Sequence, residues 1–149
     1  MLDFSRAALA AKAEPVPAGT YDLRLTDAEV ATSGSGHTSL AVTGEIADGQ
    51  HRDRKVADSL MLASVDERRL AGLIRRGLQI TAQILDAIGA TDEEREAAGA
   101  DLLRLGRLLA GRTVRVTTGV TIDARDGTRR EIVLRVQPSP LDTAEQVIG

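Results

Sequence analysis

Apolar and polar residues alternate in three successive stretches between Pro15 and Leu62. The apolar positions are Tyr21, Leu23 and Leu25, then Leu40, Val42 and Ile46, then Val56, Leu60 and Leu62. A period of two puts these side chains on one face of an extended chain and Arg24, Ser39, Thr43 and Lys55 on the other. Thr32-Ser-Gly-Ser-Gly-His37 is too rich in glycine and serine to continue a strand, and Asp48-Gly49 is a two-residue hairpin signal. The pattern predicts a three-strand antiparallel meander with one wet face.

Beyond Leu62 the period lengthens. Ser64-Val-Asp-Glu67 has capping-box spacing, and Leu70, Leu73, Ile74, Leu78, Ile84, Leu85 and Ile88 follow at helical intervals up to Gly89. This predicts an amphipathic helix of about 24 residues with Arg68, Arg69, Arg75, Arg76 and Gln83 on its polar face. Thr91-Asp-Glu-Glu94 repeats the capping spacing and starts a second helix, interrupted near Gly99 and continuing as Asp101–Leu109 with Leu102, Leu105 and Leu109 inward. Period two then returns. Val114, Val116, Val120 and Ile122 mark a fourth strand with a bulge expected at Gly119, Asp126-Gly127 a turn, and Ile132, Leu134 and Val136 the inward face of a fifth strand that Pro138 and Pro140 stop.

Three strands, a helical insertion and two strands make an α+β, mostly β chain in the order β-β-β-α-α-β-β. That is the order of the OB-fold, a small five-stranded barrel with its helix between strands 3 and 4. The expected organisation is an N-terminal arm over residues 1–14, one OB-like domain over 15–138 with its insertion at 64–110, and a tail over 139–149. The competing arrangement is an open sheet covered by helices on one face.

Composition narrows the function more by exclusion than by assignment. The 149 residues contain no cysteine, which removes thiolate metal sites, cysteine nucleophiles and disulfides and suits a reducing cytoplasm. No apolar run approaches the roughly 20 residues that a membrane-crossing helix needs, so no membrane partner is expected. His37 and His51 are the only histidines and have no ligand-spaced neighbour, so no metal is expected. The Gly-Ser-Gly-His loop lacks the Lys-Ser/Thr pair of a phosphate-binding P-loop. Paired carboxylates fall in first helical turns, where capping explains them. Nothing in these patterns argues for an enzyme or a cofactor.

The net charge is −3, yet 17 of the 19 basic residues are arginine and they cluster. Arg24 lies on the wet face of strand 1; Arg52, Arg54 and Lys55 fill the second connection; Arg112 and Arg115 mark strand 4; Arg125, Arg129 and Arg130 flank the last turn; Arg135 is on strand 5. The planar arginine fork suits phosphate. A barrel of this order binds single strands across strands 2 and 3 between the loops joining 1 to 2 and 4 to 5. Single-strand binders also stack bases on aromatic rings, and here Tyr21 and Phe4 are the whole aromatic supply.

Short motifs carry a family likeness. Met1-Leu-Asp-Phe4-Ser, Pro17-Ala-Gly-Thr-Tyr21, Asp27-Ala-Glu-Val30, the Ser-Gly loop, Gly44-Glu-Ile46-x-Asp48-Gly49, Arg54-Lys55-Val56 and Leu-Ala-Gly111-Arg-Thr-Val-Arg-Val116 together resemble a family of phage proteins encoded in early replication and recombination clusters. The resemblance implies single-stranded-DNA binding in the host cytoplasm, with other phage replication or recombination proteins as partners. It carries functional expectation onto Arg54, Lys55, Arg112 and Arg115. Where members of that family carry aromatics in strands 2 and 3, this chain has Ala41, Val42, Ala57 and Leu60.

Two functions compete. The first is a non-enzymatic single-stranded-DNA-binding protein that works through arginine–phosphate contacts. The second is a protein-interaction or self-assembling scaffold in which the leucines of the insertion make a homo-oligomer.

Overall fold

A computed structural model describes residues 15–142. Phe4, with the rest of the expected arm, and residues 143–149 lie outside the described residues. Five strands, β1 (Gly19–Thr32), β2 (His37–Ile46), β3 (Lys55–Ser64), β4 (Thr113–Ile122) and β5 (Arg129–Pro138), form one antiparallel sheet in the order β3-β2-β1-β4-β5. Helices α1 (Ala71–Ala87), α2 (Asp92–Ala100) and α3 (Leu102–Leu109) fill the segment between β3 and β4.

β1 joins the two halves of the sheet. Its first part, Gly19 to Arg24, pairs with β4, while Leu23 to Thr32 pairs with β2 across a bulge between Leu25 and Asp27. At that bulge Leu25 takes its backbone bonds from the chain entering β4, donating to the Arg112 carbonyl and accepting from Gly111 N–H. Past it α3 lies against β1 so closely that a Cβ on Gly106 would sit 2.4 Å from the Ala28 carbonyl oxygen.

The expected closed barrel is not found: the hydrogen-bonded ladder ends at β3 and β5. α1 accounts for the gap. A Cβ on Gly77 would lie 2.0 Å from the Met61 carbonyl oxygen, so glycine lets the helix backbone sit directly against β3. On the other side, Gln83 accepts from Val136 N–H and Arg76 donates to the Val133 carbonyl, so helix side chains occupy β5 groups that a closing ladder would need. Asp58 of β3 spans what remains, accepting from Val133 N–H at 2.9 Å and from Arg76 at 2.5 Å. Glu131 of β5 reaches back to the Ala57 amide at 3.4 Å.

The core lies between the concave sheet face and the helices. It includes Leu23, Leu25, Leu40, Val42, Ile46, Val56, Leu60, Val114, Val116, Val133 and Val136 from the strands, with Ile80, Ile84, Ile88, Leu105 and Leu109 from the helical segment. Several local expectations change. The Ser64 capping box does not form: Ser64 ends β3, and its hydroxyl lies 2.8 Å from His37 Nδ1 and accepts from Asp66 N–H. The first helix therefore starts later, at Ala71, with no side-chain cap. Its buried stripe runs through Gly77, Ile80, Thr81 and Ile84, leaving Leu73 and Leu78 about half exposed, while Arg76 and Gln83 turn to β5 instead of solvent. The Thr91 capping box is present in both directions, with Glu94 as the returning side chain. The following break falls at Asp101, which caps Leu103 N–H, and Gly99 stays inside α2.

The last hairpin slips by one residue. The irregularity falls between Thr117 and Thr118, not at Gly119, so Leu134 bulges outward and Val133 takes the inward place. The Asp48-Gly49 turn is also longer than two residues. Residues 47–54 form a loop closed by Ile46 N–H to the Arg54 carbonyl and Asp53 N–H to the Ile46 carbonyl, with Gly49 and Asp53 at positive φ.

Candidate nucleic-acid interface

The antiparallel register divides the basic residues between two regions. One region is the outer face of β1 and β4, where each guanidinium already has a carboxylate. Arg115 donates to Asp22 through Nε and Nη2, both at 3.1 Å, and Ser139 donates to the same carboxylate. Arg112 holds Asp142 at 2.6 Å and donates to the Ile88 carbonyl. Arg24 meets Glu45 at 3.2 Å. Burial alone would raise the Asp22 pKa, but the Arg115 and Ser139 hydrogen bonds and the Arg115 charge bring it below the usual carboxylate value. Arg115 is correspondingly raised, first by Asp22 and more weakly by Asp48. The Arg115–Asp22–Ser139 and Arg112–Asp142 contacts tie the β1–β4 half to the segment that leaves β5, while Arg24 and Glu45 join β1 to β2.

The second region is the end of the sheet where β2 passes into β3 and where β5 begins. The 47–54 loop supplies Arg52 and Arg54, and Lys55 opens β3. β5 runs alongside β3 through the Glu131–Ala57 and Asp58–Val133 contacts, which puts Arg129 and Arg130 beside the Lys55 end. No ion pair among the described residues involves Lys55, Arg129 or Arg130, and all three are exposed. Arg52 makes only a long contact of 3.9 Å with its neighbour Asp53. Arg125, at the tip of the β4–β5 connection, lies 3.5 Å from Asp123. Arg135 faces outward in the middle of β5, opposite Thr117. The expected groove had the loop between strands 1 and 2 as one wall. That four-residue turn, Ser33–Gly36, lies at the opposite end of β2 from the 47–54 loop and bears no arginine.

Tyr21 belongs to this same end. Its hydroxyl donates to the Pro17 carbonyl, and its ring stands edge-on to His51 with centroids 5.9 Å apart at 85°. Together with Thr20, Asp48 and Gln50 the two rings line a pocket of about 330 Å³ whose far wall is Arg115. Sequence reasoning put Tyr21 in the core or at its rim, and it is half-buried at the rim. It missed His51, because an isolated histidine in a loop carries no pattern, and it missed Asp58. The signal for Asp58 was an acidic residue in phase with Val56 and Leu60.

Among the described residues no group of three histidine, cysteine or acidic side chains is placed to hold a metal ion, and no helix is long and apolar enough to cross a membrane. What the fold defines is an α+β domain with a five-strand antiparallel sheet and a helical insertion. The chain belongs to the family described as "Protein of unknown function (DUF669)", which matches residues 2–123. The match runs from before the sheet through β4, so β5 with Arg129, Arg130 and Arg135 falls beyond it. No curated protein matches the chain.

Proposed function

We propose that this protein binds single-stranded DNA at the cationic end of its sheet, without catalysing a reaction, as part of phage replication or recombination. The observation that carries the reading is the convergence of Arg52, Arg54, Lys55, Arg129 and Arg130 at one end, where Lys55, Arg129 and Arg130 enter no ion pair among the described residues. Strand order adds support. β1 pairs with both β2 and β4, and β3 and β5 are the remaining edges, which is the connectivity of the partly open five-stranded OB barrel. The likeness to phage early-region proteins points the same way. Arg24, Arg112 and Arg115 are reassigned by this reading: their carboxylate partners make them structural ties, and they would add little to phosphate binding.

Binding built on phosphate contacts is steeply salt-dependent, with a log–log slope of about 0.7 per phosphate contacted on a single strand. Fluorescence anisotropy of a labelled oligonucleotide, titrated across a salt series, tests this. Replacing Arg129 and Arg130 with alanine should lower the slope by about 1.4 and weaken binding at low salt. Unchanged slope and affinity in that variant would remove the site, and absence of binding at low salt would remove the function.

A second reading has its own observation. Leu73 and Leu78 on α1 and Leu102 and Leu103 on α3 are exposed, and Leu78 and Leu102 help line an apolar cleft of about 330 Å³ with Leu62, Leu85 and Leu105. Those leucines favour self-association through the helical insertion. This is compatible with DNA binding at the sheet's cationic end.

A further inference from the structure

We infer that the pocket beside Tyr21 receives a nucleobase and favours bases that carry an exocyclic amine over thymine. The inference rests on the single-strand reading above and concerns what part of the strand this pocket would read. Its volume of about 330 Å³ is many times the roughly 30 Å³ share of a water molecule. Tyr21 and His51 both line it with their rings at 85° to each other, so the face of one ring is open to stacking by a flat heterocycle while the other meets it by an edge.

Charge decides which part of a nucleotide enters. Arg115 is the one cation on the lining, and Asp22 already engages it through two hydrogen bonds. Asp48 then leaves the pocket with one net negative charge, which repels a phosphate and admits an uncharged group rich in donors. Phosphates are better placed outside, toward Arg52 and Arg54 on the same loop.

The free hydrogen-bonding groups set the preference. Among the described residues the side chains of Asp48, Gln50 and His51 make no hydrogen bond. A carboxylate accepts only, and a glutamine amide both donates and accepts. Cytosine and adenine each present an amine beside a ring nitrogen, so the amine donates to Asp48 while the ring nitrogen accepts from Gln50. Thymine presents two carbonyls around a single N–H, and seating that N–H on Asp48 brings carbonyl oxygens toward the carboxylate.

Tyr21 is the only tyrosine and the chain has no tryptophan, so intrinsic fluorescence reports directly from this wall. The whole protein is titrated with oligo-dC, oligo-dA and oligo-dT of equal length, and separately with free cytidine and thymidine. Oligo-dC and oligo-dA should bind about tenfold more tightly than oligo-dT, the effect of one good base-edge contact. Asp48→Asn should erase that difference, because the amide that replaces the carboxylate offers the base edge a donor as well as an acceptor. Equal affinities for the three oligonucleotides, or a preference that survives Asp48→Asn, overturn the base pocket and leave single-strand binding standing. Failure of every oligonucleotide to bind, with cytidine alone still quenching Tyr21, overturns the strand reading and keeps the pocket. Failure of both oligonucleotides and nucleosides overturns both.

Discussion

Asp58 shows how one side chain can stand in for a stretch of missing sheet. It sits in phase with Val56 and Leu60, on the face where a strand normally places apolar groups. Its carboxylate is only 11% exposed, and it accepts both from the Val133 amide of the other edge strand and from Arg76 of α1. Alanine there would strand a partly buried guanidinium and a backbone N–H together. Removing one partner of such a pair costs more than the pair contributes, because the remaining group keeps its desolvation penalty. Asp58→Ala should lower stability by about 3 kcal/mol in urea denaturation, with Asp58→Asn intermediate because one acceptor oxygen survives. A loss under about 1 kcal/mol would show that α1 holds β3 and β5 together without this bridge. The same residue marks a limit of legibility. A carboxylate at an inward position announces that something must meet it, but its partners lie 18 and 75 residues away, and no periodicity reports such distances.

At the scale of elements, the period of the apolar pattern located all five strands and separated them from the helices, because burial on one face leaves a mark every second or every third to fourth residue. Ends and registers were less legible, since other bonds compete for the same groups. Ser64 would cap a helix if its hydroxyl were free, and His37 and Asp66 have taken it. Leu134 fits the alternation, and one extra residue in β5 turns it out. The tie between β1, β4 and the segment after β5 makes a prediction about acid. Asp22 titrates below its ordinary value of 3.8, despite a burial effect of the opposite sign, because Arg115 and Ser139 hold its charged form. A depressed carboxylate contributes stability that is complete above the unfolded-state value and is lost as pH falls through the folded-state one. The stability gap between the native chain and Asp22→Asn should therefore be largest near neutrality and shrink below pH 3.8. Glu94 and Asp126 are also depressed and act in the same direction, so the comparison needs this paired variant and not the acid limb of the native chain alone. A gap independent of pH would assign the role of Asp22 to packing.

For the whole molecule, an acidic average conceals an uneven surface. The chain carries net charge −3, yet Asp22, Asp58 and Asp142 are each held by an arginine that serves the fold, while at one end Lys55, Arg129 and Arg130 enter no ion pair among the described residues. Sequence clustering gave the number of basic residues but not this division, because pairs such as Asp22–Arg115 and Arg112–Asp142 join positions far apart in the chain. The helical insertion is the other uneven feature. Leu103 is 68% exposed, Leu73 and Leu78 about half so, and the adjoining cleft is almost wholly apolar, an arrangement that burial against a second copy would relieve. Leu109, by contrast, is fully buried and belongs to the core. Light scattering on the DNA-free protein should give a mass of at least two chains, and Leu103→Glu should shift it toward one chain with little loss of helix content or thermal stability, because that side chain is mostly exposed within its own protomer. A single-chain mass for the native protein at every concentration would reject self-association. Native oligomers that persist in Leu103→Glu would move the interface away from α3. Dimers joined through this insertion would keep both cationic ends free, so the variant should bind DNA with unchanged affinity per site while losing the avidity that two linked sites confer on a long strand.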